Sequence, residues 1–152
     1  MSLMGIVTDF NDKGIEIHKN NSVCDYLELD FKDCPDLVQT VLVVAAYHKI
    51  KLKIYGVESL KIKETDRLTA MKNELHKIGV SFYNKENFWI LDRREKDFPK
   101  SVSIDTYKDH RMAMSFAPLA SEINISINNP EVVRKSYPMF WNDMKKVGYS
   151  IT

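Results

Sequence analysis

The chain has 152 residues, of which 44% are hydrophobic and 28% are charged, and its formal net charge is +1. This length and composition are typical of one globular domain with its own apolar core. The balanced charge argues against a nucleic acid or a membrane surface as partner. The longest apolar run, residues 37–47, is too short to span a bilayer, and no signal peptide opens the chain, so we expect a cytoplasmic protein. Two cysteines with no nearby histidine exclude a disulfide scaffold and argue against a cysteine-ligated metal site.

The first third of the chain predicts three strands and a helix. Apolar and polar side chains alternate in three short segments, residues 5–10, 14–18 and 26–31. Residues 37–50 follow Pro35 and Asp36 and predict a helix, with Asp36 as either a plain N-cap or a functional base. The middle of this helix, residues 41–46, is apolar on every side, so we expect it to be buried.

The remaining two thirds predict further strands and three more helices. Strands are expected at residues 52–55, 80–83, 88–91, 102–104 and 123–127. The second helix begins near Arg67, ends at Gly79 and carries four apolar residues on one face: Leu68, Met71, Leu75 and Ile78. A third helix is predicted over residues 109–121, where Pro118 would kink or end it. A fourth is predicted over residues 136–147, with an apolar face made by Phe140, Met144 and Val147.

The two halves of this pattern resemble each other. Asp36 and Asp109, 73 residues apart, each precede an apolar helix, and Gly79 and Gly148, 69 residues apart, each end an amphipathic helix. We interpret residues 36–83 and 109–151 as two copies of a β-helix-β-helix-β unit. The predicted fold is therefore α/β (α+β), with both copies in a single domain over residues 4–152. Residues 1–3 have the character of an expression leader.

The first charged motif is Lys61-Ile62-Lys63-Glu64-Thr65-Asp66-Arg67, at the predicted start of the second helix. Unpaired backbone N–H groups and the helix dipole favour anions there. Lys63 and Arg67 add two cations, and Glu64 between them could stay ionised or exchange a proton with a substrate. The alternative is a solvated helix start with charge pairs four residues apart.

Two further basic motifs lie at predicted helix starts. In Asp109-His110-Arg111-Met112-Ala113-Met114, Arg111 enters an apolar helix, so it either pairs with Asp109 or binds a carboxylate or phosphate. His110 alone is interpreted as structural. The segment Arg134-Lys135-Ser136-Tyr137-Pro138 adds Lys135. With Asp36, these motifs fall at equivalent edges of the two copies, which is typical of an enzyme that acts on small anions.

At these residues the sequence resembles the 5-enolpyruvylshikimate-3-phosphate synthase family. The first motif matches R-x-K-E-[ST]-D-R with Lys61 for the first arginine, and the second matches D-H-R-[MI]-A-M. The third, extended to Val133, looks like V-x-K-[ST]-[FY]-P, and Pro35-Asp36 resembles the P-D segment that precedes an apolar helix.

The resemblance implies the enolpyruvyl transferase fold, built from repeated βαβαββ-type units, of which two would be present here as the C-terminal part of the C-terminal domain. It implies a carboxyvinyltransferase of the shikimate pathway of aromatic amino acid biosynthesis, with shikimate 3-phosphate and phosphoenolpyruvate as substrates and no metal or cofactor. The missing N-terminal part of the same enzyme would be the partner of this chain, which alone is expected to be inactive.

The resemblance also implies roles for two carboxylates and a lysine. Asp36 would act as base toward the 5-hydroxyl of shikimate 3-phosphate, and Lys63 would contact that substrate near the same hydroxyl. Glu64 would exchange the proton at the methylene carbon of phosphoenolpyruvate.

The remaining implied site residues bind substrate. Arg67 and Arg111 would bind the carboxylate of phosphoenolpyruvate, and Lys135 would be a further cation there. Ser59 stands where many members carry Asn at a shikimate-phosphate contact. A non-catalytic small-anion-binding module of the same fold is the alternative, although a mere binder would have little need for Asp36 and Glu64 among the cations. Nucleic-acid binding, as in distant cyclases of related architecture, is disfavoured by the balanced charge.

Overall fold

The computed structural model describes residues 2–62, 65–93 and 97–152. The strands are β1 Met4–Asn11, β2 Gly14–Val23, β3 Tyr26–Asp30, β4 Lys51–Tyr55, β5 Val80–Lys85, β6 Phe88–Arg93, β7 Ser101–Ile104 and β8 Asn124–Ile127. The α-helices are α1 Val38–Tyr47, α2 Arg67–Lys77, α3 His110–Phe116 and α4 Phe140–Lys146. Four short 3-10 helices lie between them, at Pro35–Leu37, Glu58–Ile62, Ala117–Ser121 and Pro130–Lys135.

The strands form three sheets. β1 and β2 are an antiparallel hairpin, and β7 and β8 are a parallel pair. The largest sheet has the order β3-β4-β6-β5, in which β3 and β4 are parallel and the other neighbours are antiparallel. This mixture of helices with parallel and antiparallel strands confirms the predicted α/β class.

The core is organised around α1. Leu42, Ala45 and Ala46 are fully buried and Val44 is half-buried, so the prediction of a buried helix is confirmed. The helix packs against α3 and against the central strands β4 and β6, which explains why it is apolar on all sides. Burying a leucine such as Leu42 contributes on the order of 1.5–3 kcal/mol.

The predicted amphipathic face of α2 is also confirmed, because all four of its apolar residues are buried: Leu68, Met71, Leu75 and Ile78. The helix begins where the Asp66 carboxylate accepts a hydrogen bond from the Thr69 backbone N–H at 3.1 Å. It ends before Gly79, whose φ of +80° is a conformation that glycine adopts without strain.

The start of α1 differs from the prediction. Pro35–Leu37 forms a 3-10 turn, α1 begins only at Val38, and the capping position is Leu37. The Asp36 side chain makes no capping hydrogen bond, so its interpretation as a plain N-cap is wrong. Its carboxylate is instead bound by two arginines described below. The helix ends at Tyr47 rather than at residue 50, just before Lys49, whose φ is +60°.

The fourth helix was predicted too early in the chain. It begins at Phe140 rather than at residue 136, because Pro138 has no N–H and disfavours a helical conformation at Tyr137. Phe140 is buried as predicted, but Val147 is exposed, so its predicted place on the buried face is wrong. The third helix is shorter than predicted, since α3 ends at Phe116 and a 3-10 turn containing Pro118 follows.

The two halves of the chain share their order of elements. β3, Asp36, α1, the parallel strand β4 and α2 correspond in order to β7, Asp109, α3, the parallel strand β8 and α4. The final strand predicted for the second copy is wrong, because residues 147–152 form no strand. The division into repeats at residues 36–83 and 109–151 stays a prediction. Within the described residues, no helix is long and apolar enough to cross a membrane.

Candidate active site

Four charged side chains from separate segments meet where three helices begin. Asp36 lies in the turn before α1, Arg67 is the first residue of α2, and Asp109 and Arg111 lie at the start of α3. Asp36 follows β3 and Asp109 follows β7, and each of these strands pairs in parallel with the next strand along the chain. Three of the predicted site residues, Asp36, Arg67 and Arg111, are therefore in direct contact.

Arg67 and Asp109 form a buried ion pair. The Arg67 Nε donates to Asp109 Oδ2 at 2.6 Å, and the two side chains are 1% and 0% exposed. The other carboxylate oxygen of Asp109 accepts the Arg111 backbone N–H at 2.9 Å, which caps α3. Of the two alternatives for Arg111, the side-chain pair with Asp109 is therefore wrong: Asp109 pairs with Arg67 and accepts the backbone N–H of Arg111. A buried pair of this kind fixes the orientation of the guanidinium group.

The Asp36 carboxylate bridges the two arginines. Its Oδ1 accepts from Arg67 Nη1 at 3.0 Å, and its Oδ2 accepts from Arg111 Nη2 at 2.9 Å. The Asp36 side chain is 52% exposed and that of Arg111 is 27% exposed, so solvent reaches this side of the cluster. Two guanidinium groups at this spacing can hold one carboxylate between them, as they hold that of Asp36.

Gln39 lies on α1 behind this cluster and was not identified from the sequence. It is fully buried, and its Nε2 donates to Asp109 Oδ2 at 3.4 Å. Its Oε1 has no hydrogen-bond partner among the described residues. A buried, unpaired amide oxygen costs on the order of 1–3 kcal/mol. The indication in the sequence was a polar residue within an apolar helix.

A second network, also missed from the sequence, fixes the loop that leads to Asp109. The buried Glu74 carboxylate on α2 accepts from the Tyr107 hydroxyl at 2.8 Å, from the Asp105 backbone N–H at 3.0 Å, and pairs with Lys77 at 2.6 Å. Burial and the bond to Glu74 raise the pKa of Tyr107. Tyr107 and Lys108 have φ values of +53° and +60°, a conformation that costs free energy in residues other than glycine.

Two more of the predicted site residues, Lys135 and Ser59, lie in 3-10 helices. Lys135 is exposed at the end of a 3-10 helix, so its predicted place at a helix start is wrong, and Ser59 is exposed in the 3-10 helix Glu58–Ile62. Within the described parts of the chain, no hydrogen bond or ion pair connects Lys135 or Ser59 to Asp36 or Arg111. Lys63 and Glu64 lie outside the described residues. His110 contacts Arg111, with His110 Nε2 3.1 Å from Arg111 Nη1.

A family model for EPSP synthase (3-phosphoshikimate 1-carboxyvinyltransferase) matches residues 1–144. The chain belongs to the EPSP synthase family. A 3-phosphoshikimate 1-carboxyvinyltransferase from Bacteroides fragilis strain YCH46 is 42% identical over 152 residues, and one from Clostridium acetobutylicum is 41% identical over 122 residues. A solved EPSP synthase structure from Acinetobacter baumannii shares the fold, with a TM-score of 0.75 at 22% sequence identity over 99% of this chain.

These comparisons cover different shares of the two proteins in each pair. The Bacteroides fragilis match includes 97% of this chain but 37% of the relative, and the Clostridium acetobutylicum match includes 79% and 28%. The chain also covers 38% of the Acinetobacter baumannii EPSP synthase chain. It therefore spans between 28% and 38% of the length of these relatives.

Proposed function

We propose that this chain supplies one wall of the active site of a 3-phosphoshikimate 1-carboxyvinyltransferase. The reaction transfers the enolpyruvyl group of phosphoenolpyruvate to the 5-hydroxyl of shikimate 3-phosphate and releases phosphate. Membership of the EPSP synthase family supports this assignment, and so does the convergence of Arg67 and Arg111 on a single carboxylate. The opposite wall comes from the part of the family enzyme that this chain does not span, and the reaction takes place in the cytoplasm without a metal or cofactor.

In this proposal the carboxylate of phosphoenolpyruvate binds where the Asp36 carboxylate lies in the free chain. Arg67 keeps its buried partner Asp109, so its orientation is fixed before substrate arrives. Arg111 is partly exposed and can exchange Asp36 for the substrate carboxylate without leaving a buried charge unpaired. A bound substrate carboxylate thus frees Asp36 from the arginines.

The freed Asp36 carboxylate then accepts the proton of the 5-hydroxyl as the oxygen bonds to carbon 2 of phosphoenolpyruvate. Glu64 donates a proton to the methylene carbon in the same addition step, which converts it to a methyl group. In the second step a proton returns from that methyl group to Glu64, the carbon–oxygen bond to phosphate breaks, and phosphate leaves with the electron pair. Lys63 and Lys135 neutralise the anionic substrates, and Ser59 contacts shikimate 3-phosphate.

Phosphoenolpyruvate binding to the purified chain tests the carboxylate site. Titration calorimetry should detect weak binding that declines as salt is added, because the exposed cations are screened. Arg111→Ala should abolish this binding, whereas Lys85→Ala, which removes an exposed cation from the β5–β6 hairpin, should leave it unchanged.

Asp36→Asn gives the sharper result, because it removes the carboxylate that competes with substrate. An exposed ion pair is worth about 0.2–1 kcal/mol, so this variant should bind phosphoenolpyruvate up to about five-fold more tightly. Weaker binding by Asp36→Asn, or unchanged binding by Arg111→Ala, would contradict the assignment of this carboxylate site.

A further inference from the structure

We propose that Glu74 and Tyr107 are positioning residues for the Arg67 guanidinium. They act through the backbone that leads to Asp109, the buried partner of Arg67. This role depends on the proposed function only through the change in phosphoenolpyruvate affinity that it predicts. The orientation of the Arg67 side chain itself can be measured in the free chain without any substrate.

Two side chains of α2 hold the segment that joins β7 to α3. The Lys77 Nζ donates to the Ser103 carbonyl oxygen at 3.1 Å and to Asp105 Oδ2 at 2.9 Å. The buried Glu74 carboxylate accepts the Asp105 backbone N–H at one oxygen and the Tyr107 hydroxyl at the other. Contacts at three alternate residues of the segment therefore fix its course along the helix.

The same helix also carries the guanidinium. Arg67 and Glu74 are separated by about two turns of α2, so their side chains lie on the same side of the helix. Both are buried, at 1% and 0% exposed. α2 therefore supplies Arg67 and also the carboxylate that holds the segment carrying Asp109. The fit between the two members of the buried pair then depends on one helix and on the backbone conformation of that segment.

The segment reaches Asp109 through two residues in the left-handed region, Tyr107 with φ +53° and Lys108 with φ +60°. For residues other than glycine this conformation costs free energy, and it persists only where surrounding contacts enforce it. One such contact is the Asp109 backbone N–H, which donates to the Thr106 carbonyl oxygen at 2.8 Å. A second is the bond from the Tyr107 hydroxyl to the Glu74 carboxylate. Loss of that bond should let the strained backbone relax.

Relaxation of this backbone would move the Asp109 carboxylate. One of its oxygens accepts from Arg67 Nε at 2.6 Å, and the other accepts the Arg111 backbone N–H at 2.9 Å. A displaced carboxylate would weaken the bond that orients the guanidinium. Phosphoenolpyruvate would then have to order the Arg67 side chain as it binds, and that ordering lowers affinity.

The test combines loss of the Tyr107 hydroxyl with relief of the backbone strain. Tyr107→Phe deletes the hydroxyl, and Lys108→Gly introduces the residue that adopts a positive φ freely. Lys49→Gly is the matched control, because Lys49 is also an exposed lysine with φ +60° but lies just after α1 ends, whereas Asp36 lies before α1 begins. Each glycine substitution is made in the Tyr107→Phe chain.

The Arg67 Nε–H proton resonance in NMR spectra of the free chain reports the bond to Asp109. In wild type this short, charged bond should place the resonance downfield of those of exposed arginines. Tyr107→Phe should move it toward the exposed arginines, and adding Lys108→Gly should return it. Adding Lys49→Gly should not return it, although it relieves the same kind of strain and removes the same charge.

A purely structural role for Tyr107 would give a different pattern, because a uniform loss of stability leaves the resonances of the folded chain unchanged. Glu74→Gln should move the Arg67 resonance in the same direction as Tyr107→Phe but less far, since it replaces a charged acceptor by a neutral amide. Tyr107→Phe should also weaken phosphoenolpyruvate binding about two- to ten-fold, the size of one lost hydrogen bond.

Three outcomes would overturn this positioning role. They are an unchanged Arg67 resonance in Tyr107→Phe, no return of the resonance when Lys108→Gly is added, or an equal return when Lys49→Gly is added. If the resonances behave as expected but the wild-type chain does not bind phosphoenolpyruvate, the positioning role is supported and the proposed function is refuted.

Discussion

Replacing Asp109 by Asn removes the charge that neutralises the buried Arg67 guanidinium and changes little else. Asn is also a good N-cap, so its side chain can still accept the Arg111 backbone N–H that begins α3. Arg67 is 1% exposed, and Asp36, a second carboxylate in contact with it, is half exposed to solvent. The substitution therefore tests how much the charge of Asp109 contributes to stability through its ion pair with Arg67.

The expected loss is large for a conservative change. Leaving one member of a buried pair uncompensated costs about 3–5 kcal/mol, and the nearby Asp36 places this case near the lower end of about 3 kcal/mol. With a urea m value of about 2 kcal/mol/M for a small protein, the unfolding midpoint should fall by about 1.5 M. The melting temperature should fall by about 6–12 °C at about 2–4 °C per kcal/mol.

Asp36→Asn is the matched control for this prediction. It also removes a carboxylate that binds Arg67, but from the solvent side, where an ion pair is worth about 0–1 kcal/mol. Urea unfolding followed by circular dichroism compares the two variants with wild type. If Asp36→Asn cost as much as Asp109→Asn, or if Asp109→Asn cost less than about 1 kcal/mol, the account of Arg67 as a guanidinium fixed by a buried carboxylate would be wrong.

The other predictions concern residues around this cluster. Tyr107→Phe deletes one hydrogen bond to Glu74 and should lower the free energy of unfolding by about 0.5–1.5 kcal/mol in the same urea assay; no loss would show that this bond does not hold the loop. Gln39→Met removes the unpaired amide oxygen together with a weak 3.4 Å bond, so it should change stability by less than about 1 kcal/mol, whereas a loss above about 3 kcal/mol would mean that the amide has a partner in solution. Burial lowers the pKa of His48 from 6.5, so the unfolded chain binds the proton more tightly, and stability is present above 6.5 and falls as the pH drops below it. His48→Gln should flatten that decline in unfolding curves taken across this range, and an unchanged slope would assign it to other groups.

Parts of the fold that depend on local periodicity were predictable from the sequence. The apolar stripe of α2 and its end at Gly79 follow from helical spacing and from the conformational freedom of glycine. The burial of α1 follows from residues 41–46, which make the helix apolar on every side. Helical periodicity alone places the start of α4 too early. The backbone restriction that Pro138 imposes on the preceding residue delays the helix to Phe140.

The sequence predicts three members of the charged cluster but not how they pair. Asp36, Arg67 and Arg111 were expected together from the motifs, and they are in contact. The sequence left Arg111 open between Asp109 and a bound anion, whereas the folded chain brings Arg67 to Asp109 across 42 residues. Gln39 belongs to none of the charged motifs. Its role arises from its burial beside the Asp109 carboxylate, which only the packed structure reveals.

In the proposed function, this chain carries the proton-transfer side of a carboxyvinyltransferase site. Phosphate release from phosphoenolpyruvate in the presence of shikimate 3-phosphate tests it most directly, with the chain alone and with the part of the Bacteroides fragilis relative that it does not cover. The account predicts no useful turnover by the chain alone, turnover when the two polypeptides are combined, and a fall of about 10²–10⁴-fold in kcat for the combination carrying Glu64→Gln. Turnover by the chain alone, or full activity of the Glu64→Gln combination, would contradict it.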